Sequence, residues 1–212
     1  MRGRRSLEKA RLYCVLDTQV ENYDRLFTVA KNAVAGGVDI VQLRDKNGSA
    51  YDILNFIRRL RSVIKKRALL IVNDRVDLAL ASGSDGVHLG QEDIPVDLAR
   101  ELAGRSMIIG ASCQTLGHAL KAQEKGADYI GFGSVFKTRT KPCRRPMDLP
   151  LLKKVLQKVH IPVFPIGGIT SKNIETIRGC GVDRIAVTRA ICSAKDPRKA
   201  ARDLKSRLFA RG

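Results

Sequence analysis

Four groups of side chains in this sequence have types and spacings that could do chemistry. Gln42, Arg44 and Lys46 alternate, so in an extended segment they point the same way, and three long donors, two of them cationic, could hold a polyanion. Asp74 and Asp93 follow two neighbouring apolar runs. As a pair they suit Mg²⁺, which takes one or two carboxylates and completes its octahedron with substrate phosphates and waters; singly, either also reads as a helix N-cap. The 131–142 stretch, GFGSVFKTRTKP, carries the hydroxyls of Thr138 and Thr140 beside the cations Arg139 and Lys141. That combination suits an anionic, phosphate-type ligand, with a solvated basic loop as the plainer alternative. Gly167-Gly168 and Thr188-Arg189 could form a second anion site from backbone N–H groups and the N-terminus of a short helix starting near Ala190.

The elements that must position these groups follow from hydrophobic periodicity. Eight short apolar runs recur, at 12–16, 38–43, 68–72, 86–89, 107–111, 128–130, 162–166 and 184–187, most of them preceding a helix-like segment. One helix is expected around Tyr23 to Ala35, ending at Gly36-Gly37, and another carries Ile53, Ile57, Leu60 and Ile64 at the spacing of one buried face. Leu116, Ala119 and Leu120 mark a helix ended by Gly126; Leu149, Leu152, Leu156 and Val159 mark the next; a final amphipathic helix lies near Leu204 to Leu208. Continuous apolar strands separated by helices imply a parallel sheet covered on both faces. Eight such repeats predict an α/β fold, a single (β/α)8 TIM barrel, with residues 1–212 as one catalytic domain. A doubly wound sheet would open on a Gly-x-Gly-x-x-Gly turn, and Leu16-Asp17-Thr18 is not one. In such a barrel the active site lies at the C-terminal ends of the strands, where all four groups fall. His88 reads either as a core histidine or as a partner to a site residue.

Composition narrows the function classes. No apolar run approaches the ~20 residues of a membrane helix, and the basic N-terminus Met1-Arg2-Gly3-Arg4-Arg5-Ser6 lacks an apolar h-region. A cytoplasmic protein without a membrane partner is expected. Five scattered cysteines without a C-x-x-C pair, and only 3 His, argue for reduced thiols and against structural zinc. A formal charge of +18 admits nucleic acid or phosphorylated metabolites as partners, but 5% aromatic content and no Trp argue against a base-stacking surface. A homo-oligomer is left open.

The chain resembles the thiamine phosphate synthase family over nearly its whole length. The resemblance rests on Gln42-Leu43-Arg44-Asp45-Lys46, Asn73-Asp74-Arg75, His88-Leu89-Gly90-Gln91-Glu92-Asp93, Gly110-Ala111-Ser112, the Gly133 to Lys141 loop and Gly167-Gly168-Ile169. It implies that Gln42, Leu43, Arg44, Asp45, Lys46, Asn73, Ser112 and Lys141 bind an aminopyrimidine diphosphate, and that Asp74 and Asp93 hold Mg²⁺ on it. It further implies that Thr138, Arg139, Thr140, Gly168, Thr188 and Arg189 line a thiazole phosphate site. The implied reaction is substitution at the pyrimidine methylene carbon: diphosphate leaves and the thiazole nitrogen attacks, with Arg44, Lys46 and Lys141 as the catalytic cations. Positioning and electrostatics would supply most of the acceleration, and closure of the 137–145 loop would exclude water.

Two departures stand out: family members usually carry Pro at the position of Ser134, and Val-Ser at Thr188-Arg189. The second puts a cation at a phosphate site. A TenI-like thiazole tautomerase would have His in place of Ser134 and lack the Thr-x-Thr-Lys loop, so the residues favour the synthase. A non-catalytic, basic nucleic-acid-binding protein would have no need of the Asp74/Asp93 pair.

Overall fold

The computed structural model describes residues 2–64, 67–139 and 145–209. Eight parallel strands alternate with helices in the order α1 (Arg2–Lys9), β1 (Leu12–Asp17), α2 (Tyr23–Ala35), β2 (Ile40–Arg44), α3 (Ala50–Ile64), β3 (Leu69–Asn73), α4 (Val76–Ser82), β4 (Gly86–Leu89), α5 (Val96–Ala103), β5 (Ile108–Cys113), α6 (Leu116–Glu124), β6 (Tyr129–Phe132), α7 (Leu149–Lys158), β7 (Val163–Pro165), α8 (Ile174–Arg178), β8 (Ile185–Val187), α9 (Arg189–Cys192) and α10 (Pro197–Phe209). The strand order is β7-β6-β5-β4-β3-β2-β1-β8. Its two ends meet through a parallel bridge between Ile166, just past β7, and Ala186 of β8. The sheet therefore closes on itself as the expected TIM barrel.

The strands form where they do because both of their faces are covered. One set of side chains, including Leu12, Cys14, Leu16, Val41 and Leu43, packs outward against the helices. The other set, including Tyr13, Val15, Ile40, Ile71, Ile108, Tyr129, Phe164 and Ala186, fills the barrel interior. Helix α1 supplies Leu7, and the residue just after it Ala10, to that same interior cluster. It thus plugs the floor of the barrel, a role the sequence reading of the N-terminus did not assign.

Helix starts are fixed locally. Asn22 caps α2 through Arg25 N–H, Thr115 caps α6 through His118 N–H, and Asp148 caps α7 through Leu151 N–H. The buried residues of α3 are Ile53, Phe56, Ile57, Leu60 and Ile64, which is the face its periodicity predicts.

A second local device recurs at the floor. Gly-x-Asp precedes β2, β4, β6 and β8 at Gly37-Val38-Asp39, Gly83-Ser84-Asp85, Gly126-Ala127-Asp128 and Gly181-Val182-Asp183. All four glycines have positive φ, from 61° to 102°, a conformation that ends a helix at little steric cost to Gly. The aspartate then accepts a backbone N–H from the first or second residue of the preceding strand: Asp39 from Leu12 (3.0 Å), Asp85 from Leu70 (2.8 Å) and Asp128 from Ile109 (2.8 Å). Asp183 instead pairs with Arg11 and Arg184. Among the described residues no helix is long and apolar enough to cross a membrane.

Candidate active site

At the opposite end of the barrel a cavity of about 290 Å³ opens at the mouth. Of the residues singled out by sequence, Gln42, Arg44, Asn73, Ser112, Thr138, Arg139, Gly168, Thr188 and Arg189 line it. Thr140 and Lys141 lie outside the described residues, as does most of the loop whose closure the sequence suggests. Leu43 is buried among the outward-facing core residues. Asp45 accepts hydrogen bonds from the Tyr23 hydroxyl (2.5 Å) and from Asn47 and Gly48 N–H (3.0 and 2.8 Å). Both therefore sit on the far side of the strand end from Gln42 and Arg44, as alternation requires.

The β1–β4 side of the mouth is internally paired. Asp17, fully buried at the end of β1, accepts from Arg44 Nη1 at 2.8 Å, and the same nitrogen donates to Gln19 Oε1 at 3.1 Å. The Arg44 guanidinium is thus aimed before any ligand arrives, by a carboxylate that sequence reading passed over. Its signal was parity: Asp17 shares the inward face with Tyr13 and Val15.

Asp74 and Asp93 come together as the sequence pairing suggests. Asp74 is the one non-glycine residue with positive φ among the described residues, at 63°. That left-handed turn is tolerated better by Asp than by most residues, and it is held by the Asp74 N–H bond to the His88 carbonyl (2.8 Å). Asp74 caps no helix, since α4 starts after Arg75. Its carboxylate is ion-paired with Lys46. Burial, and then contact with the Asp93 carboxyl, push Asp74 above the usual carboxylate range although Lys46 opposes them. Asp93 goes the other way: burial works against its ionisation, but its hydrogen bond with Asp74, the Gly90 N–H (2.6 Å) and the charge of Lys46 hold it below that range. Two carboxylates crowded so that one resists ionising, with an ammonium pressed against them, form a donor set that a hard divalent cation fits. Among the described residues no group of three or more His, Cys, Asp or Glu could hold a metal by protein ligands alone, so substrate oxygens and waters would have to complete the shell.

The β6–β8 side is different in kind. Gly133 lies so close to β7 that a Cβ there would sit 2.1 Å from the Ile166 carbonyl oxygen. Gly167 and Gly168 both have positive φ and pack against Ser134 and Lys137, which brings the β6 and β7 loops together around the cavity. Thr188 and Arg189 start α9 as expected. Lys137, Arg139 and Arg189 line the mouth and, among the described residues, have no ion-pair partner.

His88 settles between its two readings. It is 8% exposed, hydrogen-bonds Tyr129 and Ser112 (3.1 and 3.0 Å), and lines the cavity. It is both interior and part of the site wall. Tyr13, hidden in an apolar run, also lines the cavity, as do Lys137 and Thr170, and Tyr129 is fully buried behind His88.

Comparison with known proteins agrees with this geometry. The family model for thiamine monophosphate synthase matches residues 12–191. The thiamine-phosphate synthase of Gloeobacter violaceus is 45% identical over 195 residues, covering 92% of this chain and 56% of that protein. The chain thus spans little more than half the length of the first curated relatives it matches. The thiamine-phosphate synthase of Methanobrevibacter smithii is 39% identical, covering 91% of this chain and 92% of that protein. Among solved structures, thiamine phosphate pyrophosphorylase from Pyrococcus furiosus superposes with a TM-score of 0.86 at 39% identity, covering 97% of each chain. A complete barrel, the residues at its mouth and a family match across nearly all of its strands lead to one assignment: the chain belongs to the thiamine monophosphate synthase family.

Proposed function

We propose that this chain joins an aminopyrimidine diphosphate to a thiazole phosphate, releasing diphosphate and forming thiamine phosphate. The lone pair of the thiazole nitrogen forms a bond to the pyrimidine methylene carbon, and the C–O bond to the diphosphate breaks with its electron pair going to the diphosphate. One observation supports the reading: a single cavity is lined on one side by the Asp17–Arg44 ion pair and on the other by the uncompensated cations Lys137, Arg139 and Arg189 with the Gly167-Gly168 backbone, while the Lys46–Asp74 pair, which does not line it, lies at the neighbouring strand ends. One phosphorylated substrate needs only one such side.

Arg44, held by Asp17, and Lys46 would neutralise charge growing on the leaving diphosphate. Asn73, Ser112 and Gln42 would orient the pyrimidine end, and Arg139, Gly168, Thr188 and Arg189 the thiazole phosphate, so that the two reacting atoms meet in line. Thr138 belongs with the second set; Thr140 and Lys141 are proposed on sequence alone. Mg²⁺ held by Asp74 and Asp93 would add Lewis-acid stabilisation of the leaving group. On this reading Lys46 turns from Asp74 toward the diphosphate once the carboxylates have a cation. A cytoplasmic setting belongs to the same proposal, because diphosphorylated small molecules do not cross membranes unaided.

The test is to mix the purified protein with Mg²⁺, the aminopyrimidine diphosphate and the thiazole phosphate. Equal amounts of thiamine phosphate and diphosphate are expected; no product would overturn the reading.

A further inference from the structure

At the base of the cavity five polar side chains form a hydrogen-bonded line across the barrel. Gln42 Nε2 donates to the Tyr13 hydroxyl at 2.9 Å, and the Tyr13 and Tyr129 hydroxyls are 2.9 Å apart. The Tyr129 hydroxyl is 3.1 Å from His88 Nδ1, and His88 Nε2 is 3.0 Å from Ser112 Oγ. Five strands contribute one residue each: β2, β1, β6, β4 and β5. The rings are held firmly. Phe164 packs edge-on against both tyrosines at 5.5 and 5.7 Å, and a Cβ on Gly110 would fall 2.1 Å from the Tyr129 ring.

Counting hydrogens gives this line a direction. Tyr13 already accepts from Gln42, so its own hydrogen goes to Tyr129; Tyr129 then donates to Nδ1, which must be bare. A neutral imidazole with a bare Nδ1 carries its proton on Nε2 and donates to Ser112. Turning any single bond around sets two acceptors or two donors against each other in a buried place, which is costly. The line therefore has two self-consistent states, this one and its complete reversal with the Gln42 amide turned over. In the first of these states the ends left for the cavity are the Gln42 carbonyl, an acceptor, and the Ser112 hydroxyl hydrogen, a donor. An amino group and an anionic phosphate oxygen are what those ends fit.

Resting on the function proposed above, we propose that these five residues are a polarity relay: Tyr13, Tyr129 and His88 tie the face Gln42 shows the pyrimidine to the face Ser112 shows the diphosphate. The site then reads the exocyclic group and the leaving group together. An oxo analogue, which offers an acceptor where the substrate offers N–H, is penalised twice. It meets the Gln42 carbonyl, or it reverses the relay and turns the Ser112 hydrogen away from the diphosphate. Tyr13, Tyr129 and His88 are positioning residues in this scheme, acting through Gln42 and Ser112.

Two measurements test it. Nitrogen NMR of imidazole-labelled protein, with only 3 His to assign, should find His88 protonated on Nε2 and bare at Nδ1, a preference that Tyr129→Phe abolishes. A His88 carrying its proton on Nδ1 would overturn the relay. By calorimetry, folded Tyr13→Phe and Tyr129→Phe should each lose at least about tenfold of the preference for the amino- over the oxo-pyrimidine diphosphate, since a site built to hydrogen-bond a ligand discriminates through those bonds. Their affinity for the thiazole phosphate should stay unchanged. Variants that melt lower but keep the full preference would reduce the line to a structural role. A protein that makes no thiamine phosphate yet has the polarised His88 loses the proposed function and keeps the relay; a turning-over protein with Nδ1–H does the reverse.

Discussion

The floor and the mouth of this barrel are built from the same residue types and use them for different ends. At the floor, Asp39, Asp85 and Asp128 each accept an N–H from the start of a neighbouring strand, and Lys205 and Arg100 complete the pairs on Asp39 and Asp128 at 2.6 and 2.5 Å. Those carboxylates face backbone and cations. At the mouth, Asp74 and Asp93 face each other, one pushed above and one held below the usual carboxylate range. A folded chain has no structural need to press two carboxylates together. The difference teaches that an aspartate's role here is set by which strand end it occupies and by what it faces.

The largest test of this contrast is Asp17, a mouth residue bonded like a floor residue. Asp17→Ala leaves the largely buried Arg44 unpaired and should cost about 3–5 kcal/mol of stability, because breaking a buried ion pair strands the remaining charge. Chemical denaturation measures it, and a loss under 1 kcal/mol would show that Arg44 readily finds another partner. Next, Asp93→Ala should reduce turnover by about 100-fold and abolish its Mg²⁺ dependence, while the chain stays folded and loses only about 1 kcal/mol with the Gly90 N–H bond. Asp128→Ala should do the opposite, costing about 1–3 kcal/mol by stranding the Ile109 N–H and Arg100 while kcat stays within twofold of the parent, a margin of about 0.4 kcal/mol. A variant pair that moved both quantities together would erase the distinction between floor and mouth.

Smaller effects come from pH and salt. Because Asp74 titrates above its ordinary value, its proton must leave before a cation binds, so Mg²⁺ affinity should rise with pH through that raised range and then level off; Asp74→Asn should remove the step. The stability of the metal-free protein follows the same sign. The Asp74 contribution is full below its unfolded value and lost as pH rises through the raised folded value, whereas the Asp93 contribution is lost as pH falls through its lowered one. Arg189→Ala should raise KM for the thiazole phosphate only a few-fold, about 1 kcal/mol or less for an exposed cation, and the difference should shrink at high salt.

Much of this architecture was legible in the residues. Buried parallel strands read as continuous apolar runs, so each of the eight strands falls within or beside its run. The inward parity of Gln42 and Arg44 followed from alternation alone. Helix α1 was not legible, because its burial rests on Leu7 alone within a basic segment too short to show a period. The interior tyrosines were hidden for a related reason: Tyr13 and Tyr129 count as apolar in a run, and only their parity with Gln42 and Ser112 reveals hydroxyls facing inward. The Gly-x-Asp repeat was present in the sequence, but it lies between apolar runs, where a search for strands does not look. Asp17 was obscured because a carboxylate ending an apolar run reads as exposed until its partner Arg44 is placed opposite it in the β1–β2 register.

The account stands most directly on one measurement: single-turnover formation of thiamine phosphate by this protein beside its Asp93→Ala and Asp128→Ala variants, with diphosphate release and melting temperature read on the same samples. Matched product and diphosphate from the parent and from Asp128→Ala, with a folded but nearly inactive Asp93→Ala, is the predicted result. A folded parent that releases no diphosphate, or an Asp93→Ala variant as fast as the parent, would contradict it.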